Sequence, residues 1–204
     1  MLKIYNKLLN EYGKQNWWPT QTSERQFEII LGTILTQNTS WNNVEKAITN
    51  LKNNNLISKE KIKKVPLKRL ASLIKPSGYF NQKTKRLKVI AKFLEENPNP
   101  CREELLKVNG IGPETADSIL LYSFNKPYFV IDAYTKRIMQ RIGYKEDDYG
   151  ELQKLFQKNL PKNYKIYNEF HALLVEHAKK YCRKKPLCEK CPLKSQCHYF
   201  KSSA

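Results

Sequence analysis

Apolar residues recur at intervals of three and four positions along most of the 204-residue chain. This spacing puts them on one face of a helix, whereas the alternation typical of strands is nearly absent. Clear examples are Phe27, Ile30, Leu31 and Ile34, then Leu87, Ile90, Phe93 and Leu94, and later Ile166, Phe170, Leu173 and Leu174. The pattern predicts an all-α protein of about nine or ten helices.

Short segments rich in proline, glycine and asparagine interrupt this periodicity. They lie at positions 18–20, 76–78, 97–100 and 109–113. Such residues mark turns, and no repeat or low-complexity linker separates long parts of the chain. We therefore expect two helical lobes: a helical barrel over residues 23–135, and a second lobe formed by residues 1–22 with 136–204.

The charge of the chain narrows the choice of partner. Lysine and arginine number 37 against 19 acidic residues, a net charge of +18 that is spread along the sequence. Such a field favours a polyanion, most simply nucleic acid, although a solvated lysine-rich surface is the plainer alternative. The segment Met1 to Asn16 mixes charged with apolar residues, so it predicts neither a signal peptide nor a membrane span, and a cytoplasmic protein is expected.

A candidate phosphate-binding turn lies at Asn109-Gly110-Ile111-Gly112-Pro113, between two short helical segments. Two glycines around one apolar residue allow a tight turn that exposes backbone N–H groups, and the following helix adds its positive N-terminal dipole. Ile111 should point inward, while Gly110 and Gly112 leave room for a DNA backbone. An ordinary connection between helices remains the alternative.

Asp132 follows the apolar run 127–131 and precedes another helical segment. Its plain role is to cap that helix. A carboxylate at the mouth of a cleft could also stabilise positive charge on a deoxyribose or orient an attacking water.

Cys182, Cys188, Cys191 and Cys197 are separated by five, two and five residues. Four thiolates so close together would repel one another and oxidise unless a metal neutralised them. Tetrahedral zinc and a [4Fe-4S] cluster both satisfy this spacing.

The hairpin, Asp132 and the cysteines together resemble the endonuclease III superfamily of base-excision DNA glycosylases, whose hallmark is a helix-hairpin-helix followed by a catalytic aspartate. The resemblance runs through nearly the whole chain. It implies that Asp132 is catalytic, that Asn109, Gly110, Ile111 and Gly112 bind DNA, and that the cysteines hold a [4Fe-4S] cluster more readily than zinc. DNA is then expected between the two lobes.

Members of this superfamily that also cut the strand carry a lysine two residues after the second hairpin glycine. The lysine attacks the sugar and forms a Schiff base. This chain has Glu114 at that position, and a carboxylate cannot form an imine. The resemblance therefore implies a monofunctional enzyme that leaves an abasic site.

The tryptophans resemble those of the 3-methyladenine DNA glycosylase III branch. There, aromatic residues at the positions of Trp17 and Trp41 sandwich the extruded base, Trp18 and Pro19 close the pocket, and we place Glu114 with the same pocket. Stacking suits alkylated purines, which carry positive charge. Members of that branch lack the four cysteines, so this chain joins the pocket of one branch to the cluster of another.

Gln37 and Tyr79 match residues that fill the gap left by the flipped nucleotide in related glycosylases. The sequence thus predicts a monomeric enzyme that acts on double-stranded DNA and removes a damaged base, above all an alkylated purine such as 3-methyladenine. The alternatives are an endonuclease III-like specificity for oxidised pyrimidines, a uracil or mismatched-thymine glycosylase, a non-catalytic DNA-binding repair factor, and a zinc-ribbon transcription factor.

Overall fold

The computed structural model describes residues 1–202, and within this range the regular structure is entirely helical. The α-helices, numbered in chain order, are α1 (Leu2–Tyr12), α2 (Arg25–Leu35), α3 (Trp41–Asn53), α4 (Lys59–Lys64), α5 (Leu67–Leu73), α6 (Phe80–Glu96), α7 (Arg102–Leu106), α8 (Pro113–Ser118), α9 (Ala133–Ile142), α10 (Tyr149–Lys158), α11 (Tyr164–Lys180) and α12 (His198–Ser202). The all-α prediction is confirmed.

The described residues hold twelve α-helices, more than the nine or ten expected. The difference comes from α4, α7, α8 and α12, which have only five or six residues each. Fewer than two helical turns give too few apolar positions for a 3.6-residue period to be recognised. None of the described helices is long and apolar enough to cross a membrane.

The chain divides into a central unit, Trp18–Phe124, and a terminal unit that joins Met1–Trp17 to the residues from Asn125 onward. The sequence placed these borders at 22/23 and 135/136. The segment that leads into α9 belongs to the terminal unit because Phe129 stacks on Phe156 with ring centroids 4.1 Å apart and meets Phe170 edge-on.

Helix α2 forms the middle of the central unit. Its residues Phe27 to Leu35 are all buried, and it packs against α3, α6, α8 and the π-helical turn Ile119–Ser123 that continues α8. A helix that is apolar on nearly every side has to be surrounded by other elements. The end of α2 and the turn that follows it are therefore held firmly inside this unit.

Helix α11 has the corresponding place in the terminal unit, where it packs against α1 and α9. Tyr167, Phe170 and Leu174 repeat along its buried face, and Tyr5 of α1 meets Phe170 edge-on. Helix α9 begins at the Asp132 cap and ends at Gly143, whose φ of 119° needs a glycine.

Candidate active site

The predicted hairpin lies in the central unit between α7 and α8. Ile111 is buried, as expected, and its N–H donates to the carbonyl of Val108 at 3.0 Å, which closes the turn. Pro113 begins α8, where a missing N–H costs nothing, while Asn109 and Gly112 are exposed. The backbone of the turn is thus exposed at the surface, and the buried side chain of Ile111 anchors it to the core.

The two hairpin glycines serve different needs. Gly110 has a φ of 84°, and a Cβ there would lie within 2.7 Å of Arg86 Cδ. Gly112 has an extended backbone, and a Cβ there would meet nothing within 4 Å. Gly110 is therefore required by the protein itself, whereas only Gly112 leaves open space for an outside molecule.

Gln37 is hydrogen-bonded to the hairpin. Its Nε2 donates to the Gly110 carbonyl at 3.2 Å and to Thr115 Oγ1 at 3.0 Å, and Arg86 donates to its Oε1. The side chain expected to enter the DNA thus braces the turn in the free protein. Arg86 was not recognised from the sequence, since surface arginines are common on a helix such as α6.

Tyr79 stands on the surface of the same unit. It adopts the left-handed conformation, with φ 44°, and is 66% exposed. A bulky residue in this conformation is strained and is usually kept for function. The position suits the predicted contact with DNA.

Lys83 is a buried lysine that connects the segments before Gln37 and before Tyr79. Its Nζ donates to the Leu35 carbonyl at 2.8 Å and to the Ser77 carbonyl at 2.6 Å, so it joins the end of α2 to the turn before Tyr79. Burial, with a smaller contribution from Arg86, lowers the pKa of Lys83 to about 8. A signal was present in the sequence, because Lys83 falls in register with the buried Leu87, Ile90 and Leu94.

Trp18, Pro19 and Trp41, three residues of the predicted base pocket, line one small cavity in the central unit. The rings of Trp18 and Trp41 meet edge-on with centroids 5.0 Å apart. The cavity measures about 50 Å³, and on this measure one water molecule needs about 10 to 15 Å³. In the free protein the two rings therefore leave room for only a few water molecules between them and their neighbours.

Two carboxylates accompany these rings. Glu28 and Glu45 line the same cavity, and Glu28 is buried and accepts hydrogen bonds from Gln21 N and Thr22 Oγ1. Their negative charge favours a cation over a neutral molecule at the mouth. Neither glutamate could be recognised from the sequence, because both look like ordinary charged positions on α2 and α3.

The remaining predicted pocket residues lie elsewhere along the chain. Trp17 belongs to the terminal unit, where Lys179 Nζ lies 5.9 Å from its ring centroid. Glu114 is exposed in the first turn of α8 and does not line the cavity of Trp18 and Trp41.

Asp132 caps α9 in the terminal unit. Its Oδ1 accepts the backbone N–H of Thr135 at 2.7 Å, and its Oδ2 lies 3.6 Å from Nε2 of His171, a residue of α11. Burial by itself would raise the pKa of this carboxyl, but the charge and hydrogen bonding of His171, with the hydrogen bonds of Thr135, outweigh burial and lower it. The carboxylate is thus both a cap and an ionised group, and its side chain is 17% exposed.

The four C-terminal cysteines line one cavity with Arg141 and His177, all within the terminal unit. Arg141 Nη1 donates to Cys182 Sγ at 3.3 Å, and Cys191 Sγ lies 3.6 Å from His177 Nε2. In residues 1–202 no three His, Cys, Asp or Glu side chains are grouped as a site for a single metal ion.

The electrostatics of this cavity match a group that neutralises thiolates. Burial, with the neighbouring cysteines, raises the pKa of Cys188 and Cys191. Burial also lowers the pKa of His177 to about 4, so its ring is neutral at physiological pH. Four sulphur ligands, with an arginine that donates a hydrogen bond to one of them, form a set that suits an iron-sulphur centre.

Comparison with known proteins defines the class. Residues 31–162 match the model of the HhH-GPD superfamily of base excision DNA repair proteins. A protein from Methanocaldococcus jannaschii that is named as a DNA repair glycosylase is 50% identical over 96% of this chain and 94% of its own length. Endonuclease III of Thermotoga maritima is 33% identical over 86% of this chain and 84% of its own length. The chain belongs to the HhH-GPD superfamily, and it is a DNA glycosylase.

Solved structures agree with the fold. The H. pylori 3-methyladenine DNA glycosylase bound to 1,N6-ethenoadenine matches with a TM-score of 0.76 and 32% identity over 88% of this chain and 95% of that one. Endonuclease III in a non-covalent complex with DNA matches with a TM-score of 0.86 at 21% identity over 99% of this chain and 95% of that one. The predicted family and helix-hairpin-helix fold are thereby confirmed.

Proposed function

We propose that this DNA glycosylase is monofunctional and removes an alkylated purine such as 3-methyladenine from double-stranded DNA, with Asp132 as its catalytic carboxylate. The observation that carries the proposal is the state of Asp132. One of its oxygens is fixed in the α9 cap, and the other faces an imidazole that favours the ionised form. The protein would act as a cytoplasmic monomer whose hairpin binds a DNA phosphate.

The lowered pKa of Asp132 indicates how the carboxylate works. A general base is most effective when its pKa lies near the working pH, and a carboxyl with a lowered pKa is a weak base. It is instead a permanent negative charge, which can stabilise the cation that develops on the sugar as the C1′–N bond breaks. The C1′–N bond breaks and the base leaves with the bonding electrons. Water then adds to the cationic C1′, and the added water releases one proton to the solvent.

Glu114 supports the monofunctional reaction. It occupies the position where strand-cutting relatives carry the Schiff-base lysine, and its side chain is exposed at the start of α8. A carboxylate has no amine to attack C1′, so water is the nucleophile. We expect an intact abasic strand as the product.

The aromatic and acidic cavity supports an alkylated purine as substrate. Trp18 and Trp41 offer ring surfaces, and Glu28 and Glu45 add negative charge beside them. A purine methylated at a ring nitrogen is cationic, so each of these groups attracts it more than a neutral base. The likeness to the H. pylori 3-methyladenine enzyme points to the same substrate class.

The deciding experiment measures base release from duplexes that contain 3-methyladenine, 7-methylguanine, thymine glycol or uracil, with borohydride trapping in parallel. Release of the methylated purines, with strand breaks only after alkali and no trapped adduct, supports the proposal. A trapped adduct on thymine glycol would assign the enzyme to the oxidised-pyrimidine class instead. The likeness to Thermotoga endonuclease III makes that class the second candidate, and uracil release would indicate the third.

Asp132→Asn tests the catalytic carboxylate. Asparagine keeps an oxygen that can accept the Thr135 N–H, so the helix cap and the fold should survive. Because the negative charge is lost, single-turnover base release should fall by about a thousandfold or more, while the affinity for undamaged duplex stays close to that of the wild type. Full activity in a folded Asp132→Asn protein would remove Asp132 from the mechanism.

We also propose that Cys182, Cys188, Cys191 and Cys197 hold a [4Fe-4S] cluster, which would stabilise the loop from residue 182 to residue 197. The cavity that all four cysteines share, and the hydrogen bond from Arg141 to Cys182 Sγ, support this. Protein purified without oxygen should be yellow-brown and contain four iron atoms per chain. Colourless protein with one zinc ion would favour the zinc alternative.

A further inference from the structure

His171 is a buried residue that the hairpin, the aromatic cavity and the cysteine loop leave without a role. It is 6% exposed on α11, and the sequence separates it from Asp132 by 39 positions. Its Nε2 nevertheless lies 3.6 Å from Asp132 Oδ2. A buried imidazole needs a polar partner, and the carboxylate of Asp132 lies beside this one.

We propose that His171 is the positioning residue of the catalytic carboxylate: it holds Asp132 ionised and keeps the carboxylate plane in one orientation. The inference rests on the proposed role of Asp132. A hydrogen bond from Thr135 N to Oδ1 fixes one oxygen only, and the carboxylate can still turn about that contact. A second contact at Oδ2 removes this freedom, so the charge stays at the place where the sugar cation forms.

The other ionisable residues on the helices around Asp132 and His171 have different partners. On α11 itself, Glu169 accepts the Gln15 N–H at 2.7 Å and His177 contacts Tyr12, a residue of α1. On α9, Lys136 donates to the Asp147 carbonyl and Arg137 to the Cys182 carbonyl. These ionisable neighbours on α1, α9 and α11 have the partners named here, and His171 Nε2 lies 3.6 Å from Asp132 Oδ2.

The pair also explains how a poorly hydrated carboxylate stays charged. Burial disfavours ionisation of Asp132, and the direction of its pKa shift is reversed mainly by His171. Without His171, burial would dominate and a larger fraction of Asp132 would be protonated in mildly acidic solution. The acid limb of the rate profile should then move to higher pH.

The test compares His171→Leu, which removes the ring nitrogens at similar volume, with His171→Gln, which keeps an N–H donor without the charge. The control is Glu176→Gln, which removes a half-exposed ion pair with Lys180 on the same helix. Single-turnover base release by His171→Leu should fall about tenfold to hundredfold at neutral pH. Binding of a duplex with a non-hydrolysable abasic analogue should change less than twofold.

His171→Gln should recover most of the rate at neutral pH, but its acid limb should still lie above that of the wild type. Wild-type rates and an unchanged acid limb in folded His171→Leu would overturn the inference. If that variant does not fold, His171→Gln decides the matter alone, because an acid limb at the wild-type pH would equally overturn it.

A substrate-free measurement separates this inference from the proposed function. The carboxyl carbon of Asp132, followed by NMR in ¹³C-labelled protein, reports its pKa directly in wild type and in His171→Gln. A raised pKa in the variant supports the pair even if no tested lesion is excised, and an unchanged pKa overturns it even if the enzyme is active. Failure of the wild type to release any methylated purine counts only against the proposed substrate.

Discussion

The hairpin of the central unit and the carboxylate of the terminal unit are held in different ways. At the hairpin, Gln37 donates hydrogen bonds to the Gly110 carbonyl and to Thr115 Oγ1 in the first turn of α8, and it accepts one from Arg86. Asp132 is held by Thr135 of its own helix, and its other oxygen lies 3.6 Å from His171 Nε2 on a distant helix. The hairpin is therefore a rigid backbone feature, while the carboxylate is tuned by a single side chain.

Because of this difference, substitutions at the hairpin and at His171 should change different properties of the protein. Damage to the hairpin should weaken DNA affinity and leave the pKa of Asp132 unchanged. Damage to His171 should slow the reaction and leave affinity unchanged. The following substitutions sharpen that comparison in the central unit, from the largest effect to the smallest.

Gly110→Ala should give the largest effect. The φ of 84° is strained for alanine, and the added Cβ would overlap the side chain of Arg86. We expect a loss of about 2 to 4 kcal/mol in the free energy of unfolding, with weaker DNA binding. Urea unfolding and duplex titration measure both.

Gly112→Ala is the matched control for that substitution, since its Cβ would enter open space with an extended backbone. Its stability should stay within about 0.5 kcal/mol of the wild type. Any loss of DNA affinity in this variant then reports the approach of DNA to the turn. Equal destabilisation by both substitutions would refute the distinction between the glycines.

Replacing Lys83 should have an effect of intermediate size on the free energy of unfolding, and this effect should depend on pH. Burial lowers its pKa to about 8 in the folded state, whereas an unfolded lysine titrates near about 10.4. Between these values the unfolded chain binds more protons, so the Lys83 contribution to the free energy of unfolding rises with pH. The wild type should gain up to about 3 kcal/mol over Lys83→Met between pH 8 and pH 10.5.

Urea unfolding of both proteins at several pH values in that window checks the expectation. The comparison with Lys83→Met cancels the titration of the other groups. A stability difference that stays constant across the window would mean that Lys83 titrates normally in the folded protein.

Gln37→Ala should give the smallest effect. It removes two hydrogen bonds to the hairpin and one from Arg86, each worth about 1 kcal/mol or less at a partly exposed site. We expect a loss of about 1 kcal/mol in stability and a larger relative loss in affinity for damaged duplex. An unchanged affinity would show that Gln37 only braces the turn and does not enter the DNA.

The hairpin and the surroundings of Asp132 also differ in how far the sequence predicts them. The hairpin consists of consecutive residues, so Gly110, Ile111 and Gly112 could be recognised together, and they indicated the family. The pairing of Asp132 with His171 depends on how α11 packs against α9, and periodicity does not report contacts between distant segments. His171 could have been flagged only as a polar residue next to Phe170 and Leu174 on an apolar face.

The structure divides the chain at 17/18 and 124/125, whereas the sequence suggested 22/23 and 135/136, and the difference has a related reason. Turn-forming residues at 18–20 and 125–127 suggest breaks, but the sequence does not show to which core the segment 125–135 contributes its apolar residues. That choice is decided by the stacking of Phe129 on Phe156, a contact across 27 positions. The helices could be predicted from the local sequence, whereas the unit to which the segment 125–135 belongs could not.

The discontinuous terminal unit has a consequence for the order in which the chain folds. Every residue of the central unit has been synthesised by Phe124, so this unit can collapse early with short-range contacts. Helix α1 is synthesised before the central unit, but the partner of its apolar residues Ile4 and Leu8 is α11, made more than 150 residues later. Until then α1 exposes an unpaired apolar face, and Asp132 gains its neighbour His171 only when α11, which carries that histidine, has folded.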